Sequence, residues 1–552
     1  MKKRILLLPI LAMTLFCAMA QKGDFALVRD TEIMINMLRA LNERYVDTLS
    51  TSRLLSDAVS GMARNLDPYT KYIDEEEMAD FELMTTGKYG GIGSLIRKSG
   101  DYVIIAQPYR GFPADEAGLM IGDKILEIDG QSIKGMAVDE VSNRLKGTPG
   151  SKLKVVVSSV VDTLKQRKVT MTRRRIAIPA VPYFDMVSDS VAYLNHSDFT
   201  NGGAEEIRQR LDELSARGMK ALILDYRGNG GGVMQEAVEV LSTFVPKGSE
   251  VLKIKGRSDS TIYKTAERAL YPSLPMVVMV DEGTASAAEI VAGALQDMDR
   301  AVLVGQRSFG KGLVQSTIPV GYEAYVKLTT ARYYIPSGRC IQALDYSDHS
   351  EGRKVEKRVD SLRQLFYTAN GRKVYDGGGV TPDVEVEAEY ASRFAATLYY
   401  DSLIDEWGND YFRRNYPMTI EDPKSFGITD EDYENFSAFV LSREVDYESE
   451  VSVAMKALER AAERELNDEL GEELKQLSER LNDDVADNLA RYRDHIEVYI
   501  TNDLLLRYSY LDGAMANRMA QDKGVREAIE ILNDVERYNS LLQPQTEPQT
   551  EE

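Results

Sequence analysis

This sequence contains few cysteines and histidines, and its basic residues are outnumbered by its acidic ones. Its 552 residues include 2 cysteines and 3 histidines, and the formal net charge is −21. The histidines, at positions 196, 349 and 495, form no pair at metal-ligand spacing, so we expect no metal site. Because a chain this acidic is repelled by the phosphate backbones of DNA and RNA, we also expect no nucleic-acid partner.

Residues 1–20 have the order of a secretory signal: basic residues, then an apolar run, then small residues ending at Ala20. We therefore expect secretion across the inner membrane to the periplasm or another extracytoplasmic space. A lipid anchor on Cys17 is the less favoured alternative, because the bulky Phe16 precedes it. Removal of this segment would leave Cys340 as the only cysteine, which excludes an internal disulfide.

Changes in hydrophobic periodicity divide the rest of the chain into an α/β multidomain arrangement. The predicted segments are an N-terminal helical segment (21–86), a small β-rich module (87–175), a layer of alternating strands and helices (176–388), a C-terminal helical region (389–540) and a disordered polar tail (541–552). An apolar stripe follows one face of the C-terminal helices, at positions 455, 458, 462, 466, 470, 474, 477 and 481. This stripe predicts helix packing, with an arm for an adaptor or a homo-oligomer as the alternative.

The segment "LILDYRGNGGG" places a glycine run directly after an apolar strand. Glycines let a backbone approach a ligand closely, so the run could present an amide to an oxyanion. A phosphate cradle is a second interpretation, although the lysine and Ser/Thr of the Walker pattern are absent. A tight turn without further function is the third.

The segment "DEGTASAAEIV" places Ser286 on a turn of small residues where a helix begins. The first amides of a helix have no partner within it, so the Ala287 amide could stabilise an oxyanion. The ordinary alternative is that Thr284 or Ser286 caps the helix. As a nucleophile, Ser286 would need a base. Lys311, between two glycines in "SFGKGLVQ", is the favoured candidate, and His196 is not excluded by spacing.

These motifs, followed by "ARYYIPSGRCIQ" and "GGGVTPDVEV", resemble in order and spacing the carboxyl-terminal processing peptidases, also called tail-specific proteases. The resemblance implies a serine endopeptidase of the Ser–Lys type, with a crotonase/ClpP-like core, an inserted PDZ domain and no cofactor. It implies an acyl-enzyme mechanism with the following roles: Ser286 as nucleophile, Lys311 as base, Gln315 holding the lysine, Ala287 and one of Gly230 or Gly231 as the oxyanion hole, and Glu289 in support. We expect Lys311 to be largely buried, because only a neutral amine can act as the base.

The β-rich module contains "GKYGGIGSLI" and "GFPADEAGLMIGDKILEIDG", which resemble the PDZ domains of bacterial proteases. In such domains a glycine loop and the strand after it bind a peptide C-terminus by strand addition. By resemblance, the backbone at Gly91, Ile92 and Gly93 would hold the carboxylate. The side chains of Ile92, Leu95 and Ile96 would line the pocket.

The predicted partners are therefore proteins or peptides with free C-termini. Two alternatives remain at this point. One is a catalytically silent PDZ adaptor or chaperone on a protease scaffold. The other is an enzyme acting on acyl-CoA, because one fold class can host unrelated chemistries.

Overall fold

The computed structural model describes residues 7–64, 66–74, 77–346, 357, 359–388, 392–465, 473–478 and 484–544. The chain forms two compact units. The first comprises Met1–Met78, Val314–Ala331 and Tyr346–Val355. The second comprises Ala79–Leu313, Arg332–Asp345 and Glu356–Glu552.

The first unit contains helices Leu7–Arg44 and Thr51–Arg64. The helical pattern breaks at "DPYTKY", where strand Lys71–Ile73 pairs antiparallel with strand Ala324–Tyr334. Strand Leu313–Gly321 also pairs with Ala324–Tyr334. Among the described residues, no helix has a stretch long and apolar enough to span a bilayer.

The β-rich module, which we call the PDZ module, belongs to the second unit and has an apolar core of its own. Alternating side chains of its strands, such as Val103, Ile105, Leu153 and Val155, are buried in that core. Helix Val138–Leu145 packs over the same core. The remaining elements are short helix Pro113–Glu116 and strands Lys88–Gly91, Ser94–Ser99, Tyr102–Pro108, Lys124–Ile128, Gln131–Ser132, Lys152–Ser158, Gln166–Thr172 and Arg174–Ala177.

A six-stranded sheet forms the centre of the second unit. Its strands lie side by side in chain order: Tyr183–Met186, Val191–Asn195, Ala221–Asp225, Met276–Val280, Val302–Gly305 and Val384–Glu385. The first pair is antiparallel and the other pairs are parallel. Three crossover helices connect strands of this sheet: Gly203–Ala216, Met234–Phe244 and Ala287–Asp297. Parallel strands need such long crossovers, which explains the alternation in the sequence.

Residues on both faces of this sheet are buried, as continuous apolar strands require. One face is covered by helices Lys523–Asn533 and Val535–Leu541 from the far end of the chain, whose apolar side chains join the sheet's core cluster. The Tyr538 hydroxyl also lies 3.0 Å from the backbone amide of Met276. The last helices are therefore a structural layer of the central sheet.

The other C-terminal helices pack around a separate core that contains Trp407 and Phe436. These helices are Arg393–Tyr400, Leu403–Asn415, Asp430–Leu441, Val485–Arg491 and Arg493–Gln521, and a further helix, Glu450–Glu465, contributes to a separate small cluster. The predicted stripe is only partly buried: positions 455, 462 and 474 form a small cluster, whereas positions 458 and 477 are about half exposed. Positions 466, 470 and 481 of that stripe lie outside the described residues.

The second unit also contains further short elements. They are strands Glu250–Gly256, Ser260–Lys264, Leu365–Tyr367 and Lys373–Tyr375, and 3-10 helices Asp360–Leu362 and Pro423–Ser425.

Because Ile531 is fully buried against the sheet, Ile531→Ala is expected to lower the free energy of unfolding by about 3 kcal/mol. Val535→Ala is the matched control, since Val535 starts the next helix and is exposed; its effect should stay within about 0.5 kcal/mol. Urea titration of both variants measures the difference. Equal effects would contradict the assignment of these helices to the core.

Candidate active site

The carboxyl ends of the central parallel strands bring the predicted catalytic segments to one edge of the sheet. The glycine loop (residues 225–232) follows strand Ala221–Asp225, and the serine turn (residues 281–286) follows the neighbouring strand Met276–Val280. This edge is where open α/β sheets place their ligand sites. The two segments touch, because the Gly228 amide donates to the Asp281 carboxylate at 2.8 Å.

Ser286 has a backbone conformation that side chains rarely adopt, with φ of 56° and ψ of −114°. Helix Ala287–Asp297 begins at the next residue. Gly231 packs directly against this turn, since a Cβ on it would lie 2.8 Å from the Ser286 Cβ. The strained turn and the close glycine together place Ser286 against the glycine loop, a position that a helix cap alone does not require.

The buried carboxylate of Glu289 joins the two residues predicted to react. The backbone amides of Ser286 and Lys311 donate to the same oxygen, Oε2, at 2.9 and 2.8 Å. The other oxygen accepts from the Gly310 amide at 2.7 Å and the Ser308 hydroxyl at 2.5 Å. Burial raises the pKa of the Glu289 carboxyl above its usual range, and these hydrogen bonds offset part of that rise. Three of the four partners are backbone amides, which can only donate, so this arrangement of partners suits the ionised carboxylate.

A second bridge comes from Tyr333, which the sequence analysis did not single out. Its buried hydroxyl lies 2.5 Å from the Lys311 carbonyl oxygen and 3.1 Å from the Ser286 carbonyl oxygen. Glu289 therefore binds the backbone amides of Ser286 and Lys311, and Tyr333 lies against their backbone carbonyls. Tyr333 lies within the motif "ARYYIPSGRCIQ", but nothing in the local pattern indicates that its hydroxyl points at this site.

The structure distinguishes between the two glycines predicted for the oxyanion hole. The Gly231 amide donates to the Asn229 side chain at 2.8 Å, which leaves it no proton for a substrate. The Gly230 amide donates to no group within the part of the chain that the structure describes. Asn229 also accepts from the Ala285 amide, through its carbonyl, at 2.9 Å. Gly230 is therefore the better candidate, beside Ala287 at the start of the helix.

Lys311 is partly buried in this structure, and the expectation that it is largely buried in the active conformation stays a prediction. The flanking glycines pack closely against neighbouring residues. A Cβ on Gly310 would lie 2.5 Å from Ala343, and one on Gly312 would lie 2.8 Å from the Gln342 amide. These glycines therefore pack their own backbone closely but contribute no side chain that covers the amine.

Gln315 lies on strand Leu313–Gly321, in a part of that strand that belongs to the first unit. Its side-chain amide donates to the Thr329 hydroxyl at 3.3 Å. A role beside Lys311 stays a prediction.

His196 is a poor candidate for the catalytic base. Its ring is buried beside the rings of Phe199 and Tyr226, with centroids 4.3 and 5.4 Å away. Burial lowers the pKa of His196 to about 3, so the imidazole is neutral and only weakly basic at neutral pH. This observation favours Lys311 over the alternative that spacing left open.

The predicted tail-binding loop of the PDZ module directs its carbonyls inward. The Ile92 carbonyl accepts from the Ala114 amide at 2.8 Å, and the Gly93 carbonyl accepts from the Tyr109 amide at 2.9 Å. Ile92 and Ile96 pack with the module's core, and Gly91 is buried at the start of the loop. Leu95 is half exposed and is separated from Ile96 by a bulge, so its place in the pocket stays a prediction.

Comparison with known proteins identifies the family. A model of peptidase family S41 matches residues 190–349, a PDZ domain model matches residues 81–158, and a model of the C-terminal helical domain of probable PDZ-proteases matches residues 394–532. The chain is 32% identical over 316 residues to a carboxy-terminal-processing protease of Bartonella bacilliformis, covering 56% of this chain and 72% of the relative. The chain belongs to the carboxy-terminal processing protease family.

The protease is also similar to the carboxy-terminal processing protease CtpA of Bacillus subtilis, with 29% identity over 66% of this chain and 76% of the relative. Among solved structures, a photosystem II D1 C-terminal processing protease aligns with a TM-score of 0.36 and 28% identity, covering 65% of this chain and 93% of that chain. Family membership makes this chain a serine-type peptidase with a PDZ domain.

Replacing the shared carboxylate tests whether Glu289 organises the protease site. In Glu289→Gln, one oxygen becomes an NH₂ group that faces two donors, and each buried donor left unpaired costs about 1–3 kcal/mol. We expect a loss of proteolysis of at least about tenfold and a lower Tm. Glu282→Gln is the control, because Glu282 is exposed on the same turn, and it should behave as wild type. Near-normal casein hydrolysis by Glu289→Gln would contradict the shared-carboxylate arrangement.

Proposed function

We propose that this protein is an endopeptidase that cleaves peptide bonds through an acyl-enzyme on Ser286, with Lys311 as the general base. The observation that supports the proposal is that two side chains each contact the backbones of both Ser286 and Lys311. Glu289 binds the amides of both residues, and Tyr333 lies on the carbonyls of both. These contacts hold the backbones of the two residues close to each other, and the proposal requires in addition that the Lys311 amine reaches the Ser286 hydroxyl and is neutral.

In the proposed first step, the Ser286 hydroxyl oxygen attacks the peptide carbonyl carbon while its proton passes to the Lys311 amine. The carbonyl oxygen becomes an oxyanion, which the amides of Gly230 and Ala287 stabilise. The lysine then returns the proton to the departing amine as the C–N bond breaks, leaving an ester on Ser286. Water, deprotonated by the same lysine, hydrolyses the ester and restores the enzyme.

We also propose that the PDZ module selects substrates by their C-terminal tails. The carbonyls of Ile92 and Gly93 support this role, because they bond to amides of the module itself, an arrangement that lets the amides of the loop face the other way, toward a carboxylate. Ile96 and Val138 pack against the module's core but are only partly buried, so their exposed parts suit contact with an apolar tail side chain. This recognition favours a processing protease over an adaptor, because a reactive site accompanies the tail-binding module.

Two further assignments, of the core fold and of the cellular compartment, belong to the same proposal. The parallel sheet with crossover helices supports a crotonase/ClpP-like core. The basic, apolar and small residues in order along 1–20 support export to an extracytoplasmic compartment.

Removal of either reacting side chain should abolish proteolysis. Ser286→Ala and Lys311→Ala are each expected to lose essentially all casein hydrolysis, and the double variant should be little worse, because the two residues act as one unit. Lys311→Arg should be equally inactive, since a guanidinium stays charged. Unchanged circular dichroism spectra serve as the folding control. Substantial activity in Ser286→Ala would overturn the proposed function.

Tail recognition is tested with the full-length Ser286→Ala protein and peptides that differ only at their C-terminus. The free-acid peptide should bind at least about tenfold more tightly than its C-terminal amide, because amidation removes the carboxylate that the loop amides would hold. Fluorescence anisotropy measures both affinities. Equal affinities would exclude carboxylate capture while leaving the catalytic proposal intact.

A further inference from the structure

A buried charge cluster connects the glycine loop to the C-terminal helices. The Arg227 guanidinium binds the Asp225 carboxylate through Nη2 at 2.7 Å and Nε at 3.0 Å. Its remaining nitrogen, Nη1, lies 2.8 Å from the Asp522 carboxylate. The Asp225 and Asp522 side chains are only 3% and 10% exposed, and Asp225 also accepts from the Tyr193 hydroxyl. An arginine bound from two sides in this way has little freedom.

Asp522 divides its two oxygens between two tasks. Oδ1 caps helix Lys523–Asn533 by accepting from the Val525 amide at 2.9 Å. Oδ2 binds Arg227. The junction is closely packed, because a Cβ on Gly524 would lie 2.7 Å from the Met279 side chain. The helix start therefore approaches the sheet closely enough for its cap to reach the loop.

The glycine loop is held from its other side by the serine turn. The Gly228 amide binds Asp281, and the Asn229 carbonyl accepts from the Ala285 amide. Gly230, the proposed oxyanion donor, thus directly follows a short segment, Arg227 to Asn229, that is fixed by contacts with the serine turn and by the ion pairs of Arg227. Oxyanion donors stabilise a transition state only when their position is set in advance.

We propose that Asp522 is a positioning residue of the catalytic site. Held in place by its own helix, it fixes Arg227 and thereby sets the position of the Gly230 amide relative to Ser286. Asp522 does not touch the substrate. The C-terminal helical region would then contribute directly to catalysis rather than only covering the sheet. This inference rests on the proposed function, because it assumes an oxyanion at Gly230.

The test removes the charge of Asp522 and keeps its cap. Asn is as good a helix cap as Asp, so Asp522→Asn should preserve the helix while weakening the contact with Arg227. We expect kcat to fall about tenfold with KM nearly unchanged, because the missing interaction acts in the transition state. Affinity for a peptide aldehyde should fall by a similar factor, since its adduct with Ser286 places an oxygen in the oxyanion position.

The matched control is Asp534→Asn, which alters the cap of the next helix, Val535–Leu541. The Asp534 side chain accepts from the Arg537 amide, a contact remote in sequence from the glycine loop. This variant should retain wild-type kcat and aldehyde affinity.

Arg227→Gln removes the other partner of the same contact and should reproduce the kcat loss. Combining Arg227→Gln with Asp522→Asn should lower kcat little further. The Arg227 variant also keeps the test decisive if Asp522→Asn folds poorly.

The outcomes separate this inference from the proposed function. If Asp522→Asn and Asp534→Asn have equal kcat values, or if aldehyde affinity is unchanged while kcat falls, the positioning role is overturned. Those results leave the Ser–Lys mechanism standing, provided that Ser286→Ala is inactive. Activity in Ser286→Ala would instead remove the proposed function, and this inference with it.

Discussion

The ionised carboxylate of Glu289 is the interaction on which the catalytic site depends. It is buried, and it gathers four donors from the serine turn and from the segment around Lys311. A buried charge is tolerated only when such donors compensate for its lost hydration. The donors are therefore as constrained as the carboxylate, and the strained conformation of Ser286 persists because its surroundings determine it.

The C-terminal helices belong to the structure of the central sheet. Val525, Ala528 and Ile531 bury one face of the strands that end at the candidate site. The Tyr538 hydroxyl reaches the backbone of the strand that leads to the serine turn. The sheet is parallel apart from its first strand, and parallel strands need cover on both faces, so the strands that position the site require these helices for their stability.

Two other C-terminal helices, Leu403–Asn415 and Arg493–Gln521, hold the PDZ module. The buried Arg507 binds Asp405 and Asp503, each at 2.7 Å, and Asp405 in turn binds Arg97 on the strand beside the predicted tail-binding loop. Removing one partner from a buried ion cluster leaves an uncompensated charge, which typically costs about 3–5 kcal/mol. The C-terminal region therefore contacts both the module that would select substrates and the loop that would stabilise the transition state.

The sequence alone determined the order of the modules, most strands of the PDZ module and central sheet, and the placement of Ser286 at a helix start, because periodicity and glycine position are local signals. Only the tertiary structure decided which side chains hold these parts together. Glu289 meets Lys311, Tyr333 meets Ser286, and Asp522 meets Arg227 across long stretches of chain. Such contacts depend on burial and on the direction of individual bonds, which no local pattern encodes.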